Sequence, residues 1–76
     1  MNIIKKQNLI KKGYKILDFI NQLKGLKVYT VVNVDKNYMY FKLGNGYVSE
    51  ILLEGLSDLN DNIDYLSYAK EIVRNY

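Results

Sequence analysis

Between residues 27 and 53, three β-rich runs are separated by two short polar connectors, Asp35-Lys36-Asn37 and Gly44-Asn45-Gly46, and a helical pattern flanks this block on each side. The runs, residues 27–34, 38–43 and 47–53, are dense in Val, Tyr, Ile and Phe, and both connectors carry the Asn and Gly that tight hairpins use. Hairpins pair consecutive strands antiparallel. The spacing therefore predicts an α+β fold, a single small α-β-β-β-α domain over residues 1–76 with a three-stranded antiparallel sheet and both helices on one face.

Residues 3–24 read as one amphipathic helix, because at about 100° per residue Leu9, Gly13, Ile16, Leu17, Ile20 and Leu23 share a stripe. Gly13 costs up to about 1 kcal/mol relative to Ala inside a helix. It either permits close approach to a strand or breaks the helix in two. Gly25 supplies the stop, with Lys24 and Lys27 near the negative end of the helix dipole. After Gly55 a second helix is expected to start near Asn60, its apolar stripe being Leu59, Ile63, Leu66, Ala69, Val73 and Tyr76. Ser57, Asn60 and Asp61 are competent caps, and Asp61 and Asp64 suit the positive end of that helix.

Strand faces follow from parity. With a two-residue first loop, Val28, Val32 and Val34 join Met39, Phe41 and Leu43 beneath the helices. The opposite face then carries Tyr29, Val31, Asn33, Tyr38, Tyr40 and Lys42. The third strand has two registers. A two-residue turn sends Val48, Glu50 and Leu52 inward, whereas a three-residue Gly44-Asn45-Gly46 loop sends Tyr47, Ser49, Ile51 and Leu53 inward. The second is preferred because it keeps Glu50 out of the core.

A chain of 76 residues buries only about 60% of its unfolded surface, so its stability margin is thin. It contains neither cysteine nor histidine. That removes disulfides, the usual zinc sites and nucleophiles activated by histidine, and a reducing, cytoplasmic setting is the simplest expectation. No apolar run approaches the roughly 20 residues of a membrane span, and the basic N-terminus lacks the apolar stretch of a signal peptide. The net charge of +3 conceals an asymmetry. Residues 1–27 hold seven lysines against Asp18 (+6), residues 28–53 balance, and residues 54–76 carry five acids against Lys70 and Arg74 (−3). A basic first third suits a polyanionic or acidic partner, or a counterweight to the acidic second helix.

Two constellations are candidates for binding. Lys11, Lys12 and Lys15 share the helix face opposite the core with Asn8 and Gln22, and Phe19 projects beside Lys12 and Lys15. Lysines there could hold phosphates, and an exposed ring among them is costly without a partner. Their plainer role is a solvated face. On the open side of the sheet, Tyr29, Tyr38 and Tyr40 interleave with Asn33 and Lys42. Such rings stack bases or anchor protein interfaces, and they also simply suit strands. The run Asp58-Leu59-Asn60-Asp61-Asn62-Ile63-Asp64 falls short of a calcium loop, since Ile63 and Ala69 stand where that loop needs glycine and a bidentate glutamate. Isolated carboxylates such as Glu50, Glu54 and Glu71, with no phosphate-binding glycine loop, supply no catalytic set. Neither catalysis nor a cofactor or metal is expected.

In element order the chain resembles the double-stranded-RNA-binding domain over nearly its whole length. That family uses lysines at the start of its second helix and a histidine in the first hairpin loop. The matching positions here are the acidic Ser57 to Asp64 and Asp35-Lys36-Asn37, so no RNA-binding residue carries over. The small size and the Lys, Asn, Ile and Tyr bias also resemble the small proteins of phages and mobile elements of low-GC bacteria, anti-CRISPR proteins among them. That likeness implies a non-enzymatic module that binds, and could inhibit, a host protein or nucleoprotein complex. Direct nucleic-acid binding through the basic helix and tyrosine face, and a homodimer closing that face, are the alternatives.

Overall fold

A computed structural model describes residues 3–24, 27–44 and 46–74, the side chains of Lys24 and Tyr29 excepted. Helix α1 (Ile3–Lys24) is followed by strands β1 (Val28–Val34), β2 (Tyr38–Leu43) and β3 (Val48–Leu52), a 3-10 turn (Leu53–Leu56) and helix α2 (Asn62–Val73). The strands form one antiparallel sheet in the order β1-β2-β3, with the helices on one side, as the spacing predicts. Gly25, Asn45 and Tyr76, assigned above to a helix stop, a turn and an apolar stripe, lie outside the described residues.

Helix α1 runs unbroken through Gly13, which settles the choice between its two readings. A Cβ at Gly13 would lie 2.5 Å from Sδ of Met39, closer than real side chains approach. The glycine thus makes room for the Met39 side chain of β2 against the helix backbone. Around this contact Leu9, Ile16, Leu17 and Ile20 of α1 meet Met39, Phe41 and Leu43 of β2 and Ile51 of β3 in one core. Leu23 packs at its margin. The 3-10 turn, which the sequence reading folded into the third strand and its glycine boundary, adds Leu53 and Leu56, both fully buried.

Met39 pairs with Ile51 and Phe41 with Ser49, and Leu43 donates its N–H to Tyr47 O at 2.8 Å. Three residues therefore separate the strands, with Gly46 at φ 90°, and Glu50 points outward as preferred. Tyr47 differs from expectation: it lies at the hairpin end, outside β3, and is 53% exposed. The first connector is the two-residue loop assumed, closed by Asp35 N–H on Tyr38 O at 3.0 Å. Among the described residues no non-glycine has positive φ, so this turn relies on a side chain. Asp35 Oδ1 accepts from the amides of Asn37 and Tyr38, both at 2.7 Å.

Parity fails in β1. Val34 pairs with Met39 and Asn33 with Tyr40, but Val31 pairs with Phe41, Thr30 with Lys42 and Val28 with Leu43, so Tyr29 and Val32 are extra residues in two bulges. Each bulge resets the alternation. Val31, expected on the open face, packs on the core, and Val32, expected beneath the helices, is 50% exposed.

Helix α2 starts two residues later than expected. Asp61 caps it by accepting from Asp64 N–H at 2.9 Å, while the Asp64 carboxylate accepts from Asn60 N–H at 3.0 Å. Its buried face is Tyr65, Ala69 and Val73. Ile63, assigned to the core stripe, sits about 160° around the helix from Tyr65. It is 75% exposed.

Gly13→Ala gains about 1 kcal/mol of helix propensity but forces a methyl into Met39, an overpacking cost of about 1–3 kcal/mol. The variant is expected to be less stable in urea unfolding. In a Met39→Ala background the same change should become neutral or stabilising, and a double-mutant cycle reads that reversal.

Candidate functional site

Among the described residues, the side of the sheet away from the helices has no covering layer; the shortest extent is 16 Å, enough for one helix layer on one sheet. On this side the ladder aligns Tyr38 with Leu52, Asn33 with Tyr40 and Glu50, and Thr30 with Lys42 and Val48. The Tyr38 and Tyr40 rings lie 5.9 Å apart, tilted by 38°. Half-exposed Val32, Val48 and Leu52 extend the rings into a mixed aromatic and aliphatic surface with one lysine and one glutamate on it. Asn33, Tyr38, Tyr40 and Lys42 are thus brought together as expected from their spacing. Tyr29 contributes a bulge residue whose side chain is outside the described set. The aliphatic part of the surface was missed, although the preferred third-strand register already sent Val48 and Leu52 outward.

Asp35 closes one end of this face. Its carboxyl is held below its ordinary value by the Tyr38 and Asn37 amides, with further help from the Tyr40 hydroxyl. Partial burial, and then the Asp35 charge, raise the Tyr40 hydroxyl in return. The pair ties the hairpin turn to the aromatic surface.

The lysine stripe of α1 lies elsewhere. Lys11 is exposed, but Lys12 Nζ donates to Leu56 O at 3.2 Å, Ser57 O at 3.2 Å and Leu59 O at 2.9 Å. It ties α1 to the end of the 3-10 turn and the loop that follows it. Lys15 Nζ lies 4.6 Å from the centre of the Tyr65 ring, and Phe19, one turn further on, stacks on the same ring at 6.4 Å and 6°. Phe19 is half-buried by α2, not bare among lysines. Because α1 covers the inner side of the sheet, these residues and the tyrosine surface do not form one site. The missing signal was Tyr65, which lies outside the apolar stripe expected for α2 and yet faces Phe19.

An open recess of about 400 Å³ beside α1 is lined by Lys5, Leu9, Glu54 and Ser57, too polar for a ligand pocket of the usual apolar kind. Among the described residues no three His, Cys, Asp or Glu side chains are grouped to hold a metal, and no helix is long and apolar enough to cross a membrane. Comparison with protein-family models, curated proteins and solved structures finds no match to this chain.

Lys12→Met removes an ammonium shared by three carbonyls and should cost about 1–2 kcal/mol, water replacing part of what is lost. Lys11→Met should stay within about 0.5 kcal/mol. Equal losses in urea unfolding would contradict a clamping role for Lys12. The Asp35 turn makes a pH-dependent contribution. Since its folded pKa is lowered from 3.8, that stability is present above this value and lost as pH falls through the folded one. Denaturation midpoints of Asp35→Asn should therefore change less than wild type between about pH 4 and pH 2.

Proposed function

We propose that this domain is a non-enzymatic binding module that occupies a surface of a protein or nucleoprotein partner through the open face of its sheet. The observation that carries the reading is the combination of Tyr38, Tyr40, Val32, Val48 and Leu52 on an uncovered face. Aromatic and aliphatic groups grouped this way on a small domain are the usual anchors of a protein contact. Lys42 and Glu50 give the face no net positive charge, and Lys12 and Lys15 of α1 are engaged by the 3-10 turn and α2, which favours a protein over a phosphate backbone. The likeness to small phage and mobile-element proteins supplies the setting: a binder of this kind inhibits by occupying a host surface, in the manner of an anti-CRISPR protein.

Tyr38→Ala and Tyr40→Ala should each cost no more than about 1 kcal/mol, the scale of a cross-strand pair, against about 3–5 kcal/mol for Phe41→Ala. The partner captured by the wild-type chain, once purified, should bind the double tyrosine variant at least tenfold more weakly. Unfolding of that variant would make the face part of the core and end the reading. So would binding to nucleic acid alone with a steep salt dependence, or a concentration-dependent dimer that buries the tyrosines.

A further inference from the structure

The two edges of the sheet are not equivalent. Edge strand β1 is broken by bulges at Tyr29 and Val32, and the N–H of Val28 is taken by Oδ1 of Asn21 from α1. Edge strand β3 is regular. Its odd-numbered residues face β2, as the bonds from Leu43 N–H to Tyr47 O and from Leu53 N–H to Asn37 O show. The N–H and C=O groups of Val48, Glu50 and Leu52 therefore point away from the sheet, and the side chains of these residues stand on the open face. That is a short template of backbone donors and acceptors with a fixed side-chain pattern: apolar, acidic, apolar.

We infer that β3 accepts one added antiparallel strand, an extended segment of a partner protein in which a lysine or arginine is flanked at alternate positions by aliphatic residues. The rule of recognition is the cross-strand pair. A basic residue directly opposite Glu50 meets its carboxylate, while aliphatic neighbours two residues away meet Val48 and Leu52. A second copy of this chain is the poorer occupant, because in-register antiparallel pairing of two β3 strands about their centres sets Glu50 against Glu50. The inference rests on the reading of the domain as a binding module and adds to its open face a backbone contact along the β3 edge.

Two seven-residue peptides, acetylated and amidated, test it: valine at positions two and six, threonine elsewhere, and either lysine or glutamate at position four. Titrated into the full chain labelled with ¹⁵N, the lysine peptide should shift the Val48, Glu50 and Leu52 amides and slow their exchange. The glutamate peptide should bind about threefold to tenfold more weakly, and Glu50→Lys should reverse the order. Val48→Pro removes an outward donor without touching the ladder to β2, and should abolish binding at unchanged melting temperature. Equal affinity for both peptides, or protection of the same amides by self-association without peptide, would overturn the proposal. Shifts confined to Tyr38 and Tyr40 would also overturn it, while leaving the broader binding reading standing.

Discussion

The contact between Gly13 and Met39 sets the spacing on which the rest of the domain depends. The helix has no side chain at this point, and the methionine opposite fills the space that a Cβ would have taken. Once α1 is seated there, Leu9, Ile16, Leu17 and Ile20 come within reach of Phe41, Leu43 and Ile51, and the 3-10 turn closes the end with Leu53 and Leu56. In a chain this small, every one of these side chains is a large share of the core. The glycine therefore gives up helix propensity locally and gains packing across the whole layer.

The second helix depends on polar fastenings as much as on apolar ones. Lys12 gathers the carbonyls of Leu56, Ser57 and Leu59 at one point, and Lys15 and Phe19 hold one ring of α2 between a cation and a stack. The charge asymmetry along the sequence finds part of its explanation here. The basic helix meets its neighbour through carbonyl oxygens and a π-face, groups that a count of formal charges does not register.

Much of this was legible from the residues, and the parts that were not have physical causes. The third strand could be registered because only one alternative buried Glu50, a cost large enough to decide. The first strand could not, because a bulge leaves no mark in a run of valines, and two of them moved Val31 inward and Val32 outward. For α2, the expected stripe holds at Ala69 and Val73 but fails at its start, where Tyr65 is buried and Ile63 faces out. Tyrosine is buried there because its ring meets a lysine and a phenylalanine, a tertiary circumstance that periodicity cannot anticipate. The tyrosine surface is legible from spacing alone, since β2 alternates without interruption, and Val48 and Leu52 beside it follow from the register of the third strand.

The bulges of β1 also bear on how this chain behaves in company. A sheet with two regular edges can relay pairing from one molecule to the next, which is the geometry of a fibre. Here the edge at Tyr29 and Val32 is kinked and its first amide is already taken by Asn21. A strand arriving on the other side would find no successor across the sheet. The domain is thus shaped as an end piece: pairing at its regular edge has no second regular edge along which to continue.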